Sequence, residues 1–165
     1  RGDDLAAVTA IAERVNANVR SMGVALSACT VPHAGVPSFE LTEAEIEIGI
    51  GIHGEPGRRR IPMAPADEIT EMLTTPVIED LGIGGSDQVL LLVNGMGGTP
   101  LSELYVVYRT ARRILEGRGA TVARSLVGNY VTSLEMQGCS VTVLRLDDEL
   151  TTLWDAPVHT AALRW

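Results

Sequence analysis

The chain has 165 residues, 13 Lys and Arg against 21 Asp and Glu, a formal charge of −8 and a hydrophobic fraction of 45%. That length sets a prior of one domain, which on folding hides about 70% of the surface of its unfolded chain. The apolar content excludes a disordered segment, and the acidic balance excludes a nucleic-acid groove, which needs a basic face against the phosphates. With one Phe, two Trp and three Tyr, the core must be aliphatic. No apolar run approaches the ~20 residues that span a bilayer, and no basic segment leads into an apolar one as in a signal peptide. Cys29 and Cys139 lack zinc spacing; they could form a disulfide, but buried free thiols in a reducing cytoplasm are the expectation, and with the charge and the missing apolar span no nucleic-acid or membrane partner is expected. The chain opens on Arg1 rather than Met and is read as part of a longer protein.

Asp3 or Asp4 can accept bonds from the free amides of a helix start. Leu5, Val8, Ile11, Ala12, Val15 and Val19 then recur at helical spacing, and that helix is expected to end near 21–23. Residues 22–27 suit a short buried strand. Residues 29–38, with Pro32, Gly35 and Pro37, suit a loop in which His33 is an ordinary surface histidine. Over 43–52, Glu43, Glu45 and Glu47 alternate with Ala44, Ile46 and Ile48, the period of a strand with one wet face. Gly49 and Gly51 then stand where outward side chains would be, so another segment or a ligand can approach the backbone. Arg58-Arg59-Arg60 reads as a solvated loop.

A helix is expected over 65–80, broken or kinked at Thr74-Thr75-Pro76, with a flexible link at 82–86. The apolar run 89–93 suits a strand buried on both faces. Residues 94–100 form a Gly-rich turn, with Thr99 as N-cap and Pro100 as first helical residue. The next helix runs through Leu101, Leu104, Tyr105, Tyr108, Ala111, Arg112 and Leu115 and stops at Gly117. Strands are expected within 119–129 and over 140–146, and a short helix over 147–153. The wet face of 43–52 argues against a doubly wound sheet. The expectation is an α/β domain of α+β type, two layers deep, with a mixed sheet covered by helices on one face.

Three constellations could carry chemistry. In Gly49-Ile50-Gly51-Ile52-His53-Gly54-Glu55-Pro56-Gly57, a histidine directly after a strand stands between glycines with little steric cover. Neutral imidazole is both a base and a nucleophile, although a turn histidine bonded to a local carbonyl fits the same pattern. Glu55 could orient the ring; the expectation is that it faces water. Asn94-Gly95-Met96-Gly97-Gly98-Thr99-Pro100 could cradle a phosphate on helix-start amides. It has no Gly-Lys-Ser/Thr ending and carries Pro where the dinucleotide fingerprint needs its last glycine, so a tight turn before a helix is the expectation. Asp147-Asp148-Glu149 could hold a divalent cation but stands where a helix should begin, and capping is preferred. His159 follows Asp155 by four residues, with Pro157 between them.

At this point the sequence resembles the substrate-binding subunits of dihydroxyacetone (glycerone) kinases, the DhaK family. The segment 49–57 resembles their substrate-histidine segment. Ser21-Met22-Gly23-Val24-Ala25-Leu26-Ser27 with Cys29-Thr30-Val31-Pro32, the turn and helix start at 94–104, Thr132-Ser133-Leu134-Glu135-Met136 and Leu153-Trp154-Asp155-Ala156-Pro157-Val158-His159-Thr160 resemble further blocks in order. The resemblance implies that His53 adds to the ketone of dihydroxyacetone or a similar short ketose as a covalent hemiaminal, with Gly51 and Gly54 beside the substrate. It implies that residues 1–165 are the C-terminal subdomain of a two-part unit. The N-terminal subdomain, which supplies a glycine pair, a lysine and the Asp and His groups of acid/base chemistry, is absent from this chain. It further implies a homodimer, with no cofactor or metal in this chain. ATP or ADP with Mg belongs to a helical DhaL-like partner domain or subunit, recharged in one branch by a phosphotransferase-system subunit. The fragment alone is then expected to lack kinase turnover. A non-catalytic, ketose-binding regulator of the same family is the alternative.

Overall fold

The computed structural model describes residues 2–53 and 55–165. The first helix, α1 (Leu5–Asn18), starts as expected: Asp4 accepts from the Ala7 amide at 2.9 Å. It stops several residues early, because strand β1 (Val19–Ala25) follows at once. Strand β2 is Glu45–Ile48, β3 is Arg59–Pro62, helix α2 is Ala66–Leu81 and β4 is Gln88–Gly95. Helix α3 (Leu101–Gly117), β5 (Thr121–Gly128), β6 (Gly138–Leu146) and α4 (Asp148–Trp154) complete the chain. The six strands form one sheet in the order β3-β2-β1-β6-β4-β5. Only β4 and β5, joined through α3, run parallel; the other neighbours are antiparallel. The mixed sheet is the expected one.

The layering differs from the expectation of helices on one face. Val24, Ile46, Ile48, Val89, Leu91, Val93, Val141 and Val143 join α2 and α3 in the main core. Leu90 and Leu146, however, pack with Leu150 of α4, and Ile11 and Val15 of α1 close that second cluster. Alternate residues of β4 therefore serve opposite faces, which is why the run 89–93 is apolar throughout. The wet face seen in the sequence is local to the β2 edge. There Glu45 and Glu47 are half-buried while Ile46 and Ile48 face the core.

Two breaker signals resolved differently. Arg59 and Arg60 are not loop residues but part of edge strand β3, where Arg60 pairs across the register with Glu47 at 3.0 Å; exposed edge strands commonly carry charge. Helix α2 runs unbroken through Thr74-Thr75-Pro76. The Thr70 and Thr74 hydroxyls donate to the Ala66 and Thr70 carbonyl oxygens, each at 2.7 Å, so these threonines are satisfied inside the helix. The helix ends at Gly82 in the left-handed conformation. Cys29 and Cys139 are buried free thiols, as expected, and burial pushes the Cys139 thiol up to about 12.

Candidate functional site

The strand expected over 43–52 is cut at Ile48 because Gly49 turns the chain at φ +83, a conformation disfavoured for any residue with a side chain. The chain remains tied to the sheet for one more bond, from the Gly49 amide to the Gly23 carbonyl at 2.7 Å. It then crosses over β1 at Gly23, where a Cβ would stand 2.7 Å from the Ile50 carbonyl oxygen and 2.9 Å from Met96 Cε. Ile50 drops into a small cluster with Ala25, Cys29, Met96 and Met136. The return is closed by the Arg58 amide, which donates to the Ile48 carbonyl at 2.7 Å. The loop between Ile48 and Arg58 is thus pinned at both ends and floored by one buried side chain, with His53 toward its tip.

The His53 side chain is 81% exposed. Glu55 does not simply face water as the sequence suggested. Its Oε1 lies 3.0 Å from His53 Nδ1, and its Oε2 accepts from the His53 backbone amide at 2.9 Å. The Glu55 carboxyl is held below the usual carboxylate range by its own backbone N–H first, then by the His53 ring, against a smaller opposing effect of burial. An ionised carboxylate only accepts, so Nδ1 carries the proton of this bond. In the neutral ring the lone pair then resides on Nε2.

Gly51 serves this arrangement directly: a Cβ there would collide with the Glu55 carboxylate. The close approach anticipated at this glycine is made by a side chain of the same loop, and at Gly49 by Arg58. Gly54 lies outside the described residues. Beneath the loop is a pocket of about 360 Å³ whose walls include Ser21, Gly23, Gly51, Glu55, Arg58 and Ser140. Sequence reading missed Ser21, Arg58 and Ser140 at this pocket. Gly51 and Glu55 were visible in the motif, but their pairing depends on a turn that brings residue 55 back over residue 51.

The other constellations are structural. In the Gly-rich turn the Gly97 amide donates to Asn129 Oδ1 at 3.2 Å and the Gly98 amide to the Met136 carbonyl at 2.9 Å. Those two donors are therefore not free for a phosphate. Asn94 clamps the same loop, accepting from the Tyr130 and Val131 amides and donating to the Val131 carbonyl. Thr99 is not the N-cap: Pro100 is, and no side chain caps α3. The Thr99 hydroxyl instead reaches β6, donating to the Gly138 carbonyl at 2.9 Å and accepting from its amide at 2.8 Å. Asp147 caps α4 through the Leu150 amide at 2.7 Å, as expected. Asp155 binds Arg124 rather than His159, His33 sits exposed in the loop after β1, and His159 forms an isolated bridge with Arg164. Among the described residues no group of three or more His, Cys, Asp or Glu could hold a metal ion, and no helix is long and apolar enough to cross a membrane.

A family model described as the Dak1 domain matches residues 1–162. The dihydroxyacetone-binding subunit DhaK of the PTS-dependent dihydroxyacetone kinase 2 of Listeria innocua is 46% identical over 160 residues, covering 97% of this chain and 48% of that protein. The L-erythrulose kinase of Pectobacterium atrosepticum is 42% identical over 167 residues, covering 99% of this chain and 28% of the kinase. Among solved structures, the dihydroxyacetone kinase operon co-activator Dha-DhaQ superposes with a TM-score of 0.88 at 32% identity, over 94% of this chain and 49% of that one. The dihydroxyacetone kinase of C. freundii in complex with AMP-PNP and Mg2+ gives 0.75 at 28% identity, over 92% of this chain and 28% of that one. The chain spans about half the length, or less, of the curated relatives it matches.

Proposed function

From the premise that this chain belongs to the Dak1 domain family, we propose that it is the substrate-holding part of a kinase acting on dihydroxyacetone or a similar short ketose, with His53 as a covalent hook. The observation that carries the reading is the exposed His53 ring, with Nδ1 engaged by Glu55, whose side chain also lines a pocket of mixed apolar and polar walls with Met22, Ile52, Arg58 and Ser140. An imidazole lone pair adds to a ketone to give a hemiaminal, which discriminates ketoses from polyols such as glycerol. The adduct holds a terminal hydroxyl still for phosphoryl transfer, which is chiefly a gain in positioning. Ketotrioses and ketotetroses both present a ketone beside a primary hydroxyl, and the names of the relatives include both classes.

In this reading residues 1–165 act as one subdomain of a two-part, homodimeric, cytoplasmic unit, and the groups that polarise the ketone and take the hydroxyl proton come from the other subdomain. The phosphoryl donor, ATP or ADP with Mg, is carried by a helical partner domain or subunit, with or without a phosphotransferase-system protein to recharge it. The engaged amides of the Gly-rich turn support placing the nucleotide elsewhere. A second reading, ketose capture for regulation without phosphate transfer, is favoured by the close superposition on a co-activator.

Intact mass spectrometry of the full-length protein under native conditions with dihydroxyacetone tests the hook. An adduct is expected in the parent protein and none in a folded His53→Ala variant; an adduct that persists without His53 sinks the assignment. Phosphorylation of the ketose on adding the nucleotide-bearing partner separates the kinase from the regulator.

A further inference from the structure

Hydrogen-bonded carboxylates commonly fix the tautomer of a working histidine, and Glu55 is built for that task. Its two oxygens do different things, one holding the His53 backbone amide and the other the ring nitrogen. Gly51 leaves the space in which the carboxylate sits. We propose that Glu55 is the positioning residue of this site. Its carboxylate holds the His53 ring as the Nδ1–H tautomer and offsets the positive charge that grows on the imidazole as Nε2 adds to a ketone. The proposal rests on the hemiaminal reading above.

The step balances without a further reagent. The Nε2 lone pair forms the bond to the carbonyl carbon, and the C=O π pair moves to oxygen, which takes a proton from water. The ring is then cationic, and its Nδ1 proton lies against Glu55. That proton passes to the carboxylate and on to the hydroxide left in solvent, so the neutral hemiaminal forms with no net proton taken up. Without the carboxylate, either nitrogen of the neutral ring can carry the proton, and the cationic adduct has no counter-charge.

The experiment uses full-length protein labelled with 15N-histidine, with Glu55→Gln and Glu55→Asp beside the parent. Glu55 is 54% exposed on a loop pinned by its own backbone, and circular dichroism checks that each variant is folded. In the parent, the His53 ring should give a protonated Nδ1 signal and an unprotonated Nε2 signal. In Glu55→Gln, which keeps the size and loses the charge, the two signals should move toward a tautomer mixture. Adduct formation at sub-saturating dihydroxyacetone should then fall roughly tenfold, the scale of one charge-assisted hydrogen bond. Glu55→Asp should recover part of both effects. A parent ring protonated at Nε2, or a Gln variant with unchanged shifts and unchanged adduct, overturns the proposal. If the parent forms no adduct, the hemiaminal reading and the charge-offset role fall together, whereas the nitrogen shifts still support or overturn the tautomer lock.

Discussion

Replacing Thr99 with Val should destabilise the protein by about 2–4 kcal/mol, although the two side chains have nearly the same shape. Strand β4 ends at Gly95, while its partner β6 begins at Gly138. The Gly138 carbonyl still accepts from the Met96 amide at 3.1 Å, but the Met96 carbonyl is taken by the Ser133 amide at 2.8 Å. The Gly138 amide therefore bonds to the Thr99 hydroxyl. Thr99 is only 7% exposed and Gly138 is buried, so Val leaves a buried N–H without a partner, at a cost of about 1–3 kcal/mol, and removes a second bond worth about 1 kcal/mol. Thr99→Ser keeps the hydroxyl and loses one methyl, about 0.8 kcal/mol. Thr99→Asp separates this account from the N-cap expectation: a cap welcomes Asp, whereas a buried ladder position does not. Thermal unfolding of the full-length protein is the assay, and Val should lower Tm by several degrees. A Val variant within about 0.5 kcal/mol of the parent, or an Asp variant as stable as the parent, would refute the reasoning.

Gly51→Ala should break the His53–Glu55 bond by crowding the carboxylate, weakening ketose capture in the native mass assay while Tm moves little, because the crowded Glu55 side chain is 54% exposed and can swing into solvent. Leu91→Ala, at a fully buried position of β4, should cost about 2–5 kcal/mol in urea unfolding. Acid should destabilise the fold. Asp67 is lowered first by its bond to Thr110 and Asp155 first by its bonds to Arg124. Each folded-state value lies below the unfolded one, so the unfolded chain binds more protons. The stabilisation is present above the ordinary carboxylate range and is lost as pH falls through the lowered values. Tm measured from pH 7 down to 3 should fall, and Asp67→Asn should flatten part of that slope; an unchanged slope counts against it.

The elements legible in the sequence were those whose periodicity reports a buried face. Alternation in Glu45–Ile48, the apolar run of β4 and the helical spacing of α3 were each read correctly as to type. What escaped was set by partners distant in the chain. Arg59 and Arg60 became strand only because β2 offered them an edge. The cap expected of Thr99 lost to an unpaired amide 39 residues away. The second helical layer was invisible because α1 has no fully buried residue; Ile11 and Val15 only border a cluster whose buried members come from β4, β6 and α4.

The histidine motif was legible for a different reason: its glycines are needed locally. Strand β2 could have continued, since Gly49 still bonds to β1. In a continuing strand residue 53 would have stood on the same outer face as Glu45 and Glu47, two positions from residue 55. The positive φ at Gly49, the missing side chain at Gly23 and the space at Gly51 together lift the chain off the ladder and let the Glu55 carboxylate reach the ring nitrogen. Each of those glycines gives up strand stability, and what that loss makes room for is an exposed imidazole held by a carboxylate of its own loop. A histidine that only decorated a turn would need none of the three.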